Sequence, residues 1–226
     1  MNPQPWRLAA GALLAAALLS PTAHADVVDF DPEELSGVYL PGDSFTQGSF
    51  VLTALGDFGV IDTATALGAL APSGNNTPFY FASNDGRLSL AHATSAGFSL
   101  DGFSAAFVAL DPPSAQSTVL VARGTLQDDS QVTAVWQFAA SNTSSFPFTA
   151  YVGASFGVFD NLKQVDFYAC SWVGGVACTE PTLNNGQFAI DNIAVTVVPE
   201  PHSALLMALG LAGVAGLGLR RRRDVR

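Results

Sequence analysis

The sequence predicts an all-β protein: a single antiparallel β-sandwich between two segments that belong to export rather than to the fold. Three observations carry this. No long stretch between residues 26 and 197 has helical periodicity. Short runs there alternate apolar and polar residues, the period of a half-buried strand. Between the runs stand Gly, Asn, Asp, Ser and Pro at intervals too short for ordinary helices.

Taken in order, the first element is a leader over 1–25, with Arg7, an apolar run over 8–19, the breakers Ser20 and Pro21, and small residues at Ala23 and Ala25. That is the pattern of a secretory signal peptide, exported by the Sec machinery and cut by signal peptidase before Asp26. Its apolar run is too short for a stable bilayer span; the alternative is an uncleaved N-terminal anchor.

Candidate strands follow at 27–30, 48–55, 79–82, 88–92, 98–100, 105–110, 118–126, 131–139, 148–156, 164–169 and 187–197. In 131–139, Val132, Ala134, Trp136 and Phe138 share one face and Thr133, Val135 and Gln137 the other. In the last strand Phe188, Ile190 and Asn192 share one face, whereas Ala189, Asp191, Ile193 and Val195 fall on the other. That switch near Asp191 marks a bulge or a functional position. Turns are expected at Asn84-Asp85-Gly86, Asp101-Gly102, Asp111-Pro112-Pro113 and Asn184-Asn185-Gly186. Residues 62–70, with Asp62 as cap, are the best helix candidate, with an irregular loop as the alternative. About ten short strands fit one two-sheet sandwich of the jelly-roll kind.

The C-terminus reads Val198-Pro199-Glu200-Pro201, then a charge-free run over 203–219, then Arg220, Arg221, Arg222 and Arg223. At about 1.5 Å per residue the run is roughly 26 Å long as a helix, enough for a bilayer core. The arginines stay cytoplasmic by the positive-inside rule, which places the preceding chain across the membrane. Pro-Glu-Pro, an apolar span and an arginine cluster in this order resemble the PEP-CTERM sorting signal of Gram-negative bacteria. The resemblance implies recognition by exosortase, cleavage near residues 199–201, and a surface-attached or released product associated with exopolysaccharide and biofilm. The alternative is a plain C-terminal anchor with a proline stalk. Such a signal specifies a route and assigns no activity.

Charge and inventory narrow the rest. Residues 26–197 hold three basic side chains (Arg87, Arg123, Lys163) against 17 acidic ones, a net charge near −14. This excludes a nucleic-acid partner, which needs a basic footprint. An enzyme is disfavoured: His92 is the single histidine of that segment, with no Gly-x-Ser-x-Gly elbow and only three glutamates. Cys170 and Cys178 lie eight residues apart around a Gly-Gly pair, and in an oxidising compartment they are expected to form a disulfide. Trp172, inside that loop, leads the aromatic sugar-platform candidates, followed by Trp136, Tyr151, Tyr80 and Tyr168.

The terminal strands Val27-Val28-Asp29-Phe30-Asp31 and Phe188-Ala189-Ile190-Asp191-Asn192-Ile193 look like those of jelly-roll domains such as MAM domains and several carbohydrate-binding modules. The resemblance implies that the two strands pair and that Asp29 or Asp31 with Asp191 could hold a structural Ca²⁺. The alternative leaves Asp29 and Asp31 solvated and Asp191 at a turn or bulge.

Overall fold

The computed structural model describes residues 24–31, 33–68, 71–108, 118–139, 146–171, 186–197 and 210. The chain divides into two compact units, Ala25–Val198 and a second made of Met1–His24 with Pro199–Arg226. The first unit is nearly all β, as expected, and every registered strand pairing in it is antiparallel.

The strands are β1 (His24–Val28), β2 (Gly37–Tyr39), β3 (Ser44–Gln47), β4 (Phe50–Leu55), β5 (Gly59–Asp62), β6 (Phe79–Ala82), β7 (Arg87–His92), β8 (Phe98–Phe107), β9 (Thr118–Leu126), β10 (Gln131–Gln137), β11 (Thr149–Val152), β12 (Leu162–Ser171) and β13 (Phe188–Val197). They form two layers of a sandwich. One runs β3-β4-β7-β12-β9-β10; the other runs β2-β5-β6-β13-β8-β11, with β1 also on β13. The layers join where Leu162 of β12 pairs with both Leu126 and Phe98. At the opposite margin Tyr151 Oη, on edge strand β11, donates to the Gln137 carbonyl on edge strand β10 at 3.1 Å. The sheet is therefore nearly closed, which removes most free strand edges.

The core lies between the layers. Phe50, Leu52, Leu88, Leu90, Val165 and Phe167 come from the first and Phe98, Leu100, Ala105, Phe188, Ile190 and Ile193 from the second. Phe103 is an aromatic hub, with Trp136, Tyr151, Phe156 and Phe167 rings at 5.1, 5.4, 5.5 and 5.5 Å.

Several sequence expectations change in the fold. The expected strand 48–55 is present as β4, which starts at Phe50, because Gly48 (φ +56°) belongs to the turn that joins it to β3. Asp101-Gly102 makes no turn: β8 runs through it with a bulge, so the inward set changes from Phe98 and Leu100 to Phe103, Ala105 and Phe107. Strand 148–156 stops at Val152, where Gly153 (φ +103°) leads into a single 3₁₀ turn, Ala154–Phe156. The helix of 62–70 contracts to α1 (Ala64–Leu67), and Asp62 ends β5 instead of capping it; Thr63 is the N-cap. Asn84 and Asp85 do form the expected turn at φ +46° and +67°, closed by Gly86 N–H to Ser83 O at 2.7 Å. It carries the chain from one layer to the other, since β6 and β7 are not paired. The expected turns at Asp111-Pro112-Pro113 and Asn184-Asn185 lie outside the described residues.

Candidate functional site

β13 shows how local sequence creates an unusual position. Phe188 and Ile190 point inward, and uninterrupted pleating would turn Ile193 and Val195 away from the core. Asn192 adopts φ +51°, a conformation asparagine tolerates better than most residues, and the register slips between Asp191 and Ala194. The bulge returns Ile193 and Val195 to the core. It leaves Asp191 completely buried on the other side of the sheet.

The Asp191 carboxylate is met by donors. Asn75 Nδ2 donates to Oδ2 at 2.7 Å, Asn192 Nδ2 to Oδ2 at 3.0 Å, and Asn192 N–H to Oδ1 at 2.7 Å. The Thr77 hydroxyl lies 3.2 Å from Oδ2 and 2.8 Å from Asn75 Oδ1. Burial pushes the pKa up to about 6; hydrogen bonds from Asn75, Asn192 and Thr77 oppose the rise and the charge on Asp31 adds to it. Asp191 thus pins the 75–77 segment over its sheet.

The expected pairing of terminal strands is present, since β1 lies on β13. The expected Ca²⁺ set is not assembled. Asp29 Oδ1 accepts from Gln47 Nε2 and from the Asp31 N–H, while Gln47 Oε1 accepts from Phe30 N–H at 3.2 Å. Asp31 is exposed, and Asp191 is surrounded by amide and hydroxyl donors where a cation would require oxygen lone pairs. Among the described residues no three His, Cys, Asp or Glu side chains are grouped to hold a metal ion. These residues therefore do not fit Ca²⁺, and the bulge reading of Asp191 holds.

Two aromatic candidates are committed to packing. Trp136 is 9% exposed, stacked with Phe156 at 5.1 Å, and its Nε1 donates to Ser155 Oγ at 3.3 Å. It is no sugar platform, because the alternation of β10 turns it inward with Val132 and Ala134. The half-buried Tyr151 spends its ring on Phe103 and its hydroxyl on closing the sandwich. Tyr80 is buried in the core. Cys170 is buried on β12, and no cysteine is free among the described residues. Cys178 and Trp172 lie outside the described residues, as do Val198, Pro199, Glu200, Pro201, Arg220, Arg221, Arg222 and Arg223. So do the leader over 1–23 and, apart from Gly210, the span over 203–219; among the described residues no helix is long and apolar enough to cross a membrane.

A different feature appears on the outer face of the β12 sheet. Cross-strand partners place Ser44, Thr53, Ser89, Asp166, Arg123 and Thr133 in one straight row across β3, β4, β7, β12, β9 and β10. The row is pre-ordered: Ser44 Oγ and Thr53 Oγ1 are 2.8 Å apart, and Gln164 Nε2 donates to Asp166 Oδ1 at 2.8 Å. Beside it Tyr168 is buried between Arg87 and Arg123, each guanidinium 5.6 Å from the ring centroid, and Arg123 Nη2 donates to Tyr168 Oη at 3.1 Å. Two of the domain's three basic residues thus share one face, a juxtaposition across distant strands that no local sequence motif signals.

Comparison with known proteins agrees with both halves of this picture. Residues 197–223 match the PEP-CTERM protein-sorting motif. This motif implies an exported, membrane-anchored precursor that is processed by exosortase. No curated protein matches the chain. Among solved structures, a DUF4465 family protein from Bacteroides caccae superposes with a TM-score of 0.51 at 14% identity, over 77% of this chain and 100% of that one. The likeness supports the β-sandwich fold alone. TmCBM61 in complex with β-1,4-galactotriose is similar at a TM-score of 0.29 and 6% identity, over 79% of this chain and 90% of that one. Bacteriophage CBA120 tailspike protein 4 is similar at 0.29 and 10%, over 75% and 20%.

Proposed function

We propose that this protein is an exosortase substrate whose β-sandwich, released from its membrane tail, has a structural or adhesive role in the extracellular matrix. The observation that carries the reading is the motif at residues 197–223. Pro199 and Pro201 bracket Glu200 in the sequence, and proline disfavours helix at and before its own position, which suits reading of the motif by a membrane-embedded protease. The host is a Gram-negative bacterium, the mature product is at the cell surface or outside it, and its setting is exopolysaccharide and biofilm. No catalytic chemistry is assigned. Cys170 and Cys178 pair after export, so thiol titration of the denatured mature protein should find none before reduction and two after.

A second reading, a carbohydrate-binding module for the cell's own exopolysaccharide, is favoured by the polar row on the β12 sheet. Matrix adhesion and glycan binding are compatible, but only the second requires a defined site.

The processing reading is tested by expressing the full chain with and without exosortase and following its mass and location. The expected result is a shortened, exported product only when exosortase is present, and an unprocessed membrane-bound precursor for Pro199→Ala/Glu200→Ala. Identical processing in both strains would overturn it.

A further inference from the structure

A protease holds its substrate extended over several residues on each side of the bond it cuts. The three residues before Pro199 are Thr196, Val197 and Val198, and the first two belong to β13. In the fold they are engaged on β8: Thr196 pairs with Ser99 and Val197 with Phe98, and Thr196 Oγ1 donates to Asp101 Oδ2 at 2.7 Å. Val195, the next residue inward, is buried in the core opposite Leu100. The end of β13 therefore has to peel away before a cleft can grip the chain ahead of the motif.

This end is set apart from the rest of its strand. The register of β13 on β8 shifts between Asp191 and Ala194 and again between Ala194 and Val195, which leaves Val195–Val197 as a short separate ladder. A ladder of that length opens locally at far lower cost than the whole sheet. Its other side is covered by β1, because β6 occupies that side of β13 only over Phe188–Ile190. Phe30, just past β1, lies 6.1 Å from Tyr80, the partner of Ile190, so β1 runs antiparallel to β13 with its start beside the end of β13. The expected signal-peptidase cut falls inside β1. Hydrolysis of the Ala25–Asp26 bond, with water supplying the new carboxylate oxygen, removes His24 and Ala25 and leaves Asp26–Val28 headed by an ammonium group. The cover is thus shortened where it lies beside the end of β13, and a new chain end there frays.

We infer that Val195–Val197 is a gate on the sorting motif which loss of the leader opens, so that the N-terminal cut precedes and accelerates the exosortase cut. In that second cut the acyl group near residues 199–201 passes to water or to an amine, and the amine of the tail fragment leaves. The inference rests on the processing reading above and adds its order and its structural control.

The test follows both cuts by pulse-chase and mass in cells expressing the full chain with exosortase. Wild type should lose the leader first and the tail second. Ala23→Asp, which blocks signal peptidase, should slow loss of the tail about tenfold or more. Ser99→Cys/Thr196→Cys, a directly opposed pair, should staple the gate and slow loss of the tail about as much, with leader removal unchanged. Reductant should reverse that effect and leave wild type unaltered. A spacer of about six Gly and Ser residues between Val198 and Pro199 should restore the cut in the stapled chain and quicken it severalfold in the unstapled one. Loss of the tail at the wild-type rate in Ala23→Asp or in the stapled chain, or a rate indifferent to the spacer, overturns the gate and leaves exosortase processing standing. Loss of the wild-type tail without exosortase overturns the processing reading and the gate with it.

Discussion

Asp191 makes the fold's stability depend on pH in a direction opposite to that of a salt-bridged carboxylate. Its pKa rises from 3.8 to about 6 on folding, chiefly because the buried carboxylate leaves water, with Asp31 adding repulsion. A group whose pKa is raised on folding favours the native state in its protonated form. The associated stability is fully present below about pH 3.8 and is lost as pH rises through about 6. A shift of about two units corresponds to about 3 kcal/mol, since one unit is worth about 1.4 kcal/mol. Asp191→Asn removes the titration and keeps one carbonyl oxygen for Asn75 and Asn192, but sets an amide N–H₂ against a donor. That mismatch costs about 1–3 kcal/mol at all pH values. Urea unfolding of both proteins from pH 3.5 to 7.5 therefore should show wild type more stable by about 1–3 kcal/mol at the acid end, and the variant equal to it or up to about 2 kcal/mol more stable at neutral pH. The difference between them cancels the titration of groups far from Asp191 and should change by about 3 kcal/mol between pH 4 and 7. Parallel profiles would refute the argument, because they would mean that the carboxylate is not desolvated in the native state.

Three further outcomes follow from packing. An added Cβ at Gly59 would sit 2.1 Å from Tyr80 Oη, a ring fixed in the core, so Gly59→Ala should destabilise by about 2–4 kcal/mol in denaturant titration. Phe103→Ala removes the ring that joins Trp136, Tyr151, Phe156 and Phe167; a loss of about 3–5 kcal/mol and a large change in near-ultraviolet circular dichroism are expected. At Asn192, with φ +51°, glycine suits the backbone and keeps the N–H bond to Asp191 Oδ1 but loses the Nδ2 bond to Oδ2, and alanine loses that bond and strains the backbone as well. Thermal melts should therefore rank wild type above Asn192→Gly above Asn192→Ala, the last step about 1 kcal/mol.

The alternation of β10 and β13 was legible because pleating is a local property: Val132, Ala134 and Trp136 turn inward from the sequence pattern alone, and the parity break beside Asp191 is the observed bulge. The same alternation holds the signal that corrects Trp136, a sugar-platform candidate by residue type, because it shares a face with the core-packed Val132 and Ala134. Short strands were harder to read. Gly37–Tyr39 and Gly59–Asp62 are three and four residues long; the first, at the edge, is a strand by pairing with the second, which also pairs with β6. At Asp101-Gly102 the turn residues were recognised correctly, but a bulge uses the same conformational freedom, and only the neighbouring β13 decides between the two.

By itself the sequence determined what is written contiguously: an all-β pattern, an acidic domain, and a sorting motif whose parts follow one another along the chain. Tertiary structure decided what depends on distant partners. Asp191 is held by Asn75, 116 residues away, and Asp166 meets Ser89 on one side and Arg123 on the other only because β12 lies between β7 and β9. A strand's sequence dictates which residues share its face. Which strand lies beside it is set by burial of the whole core, and the row across the sheet exists only once those neighbours are chosen.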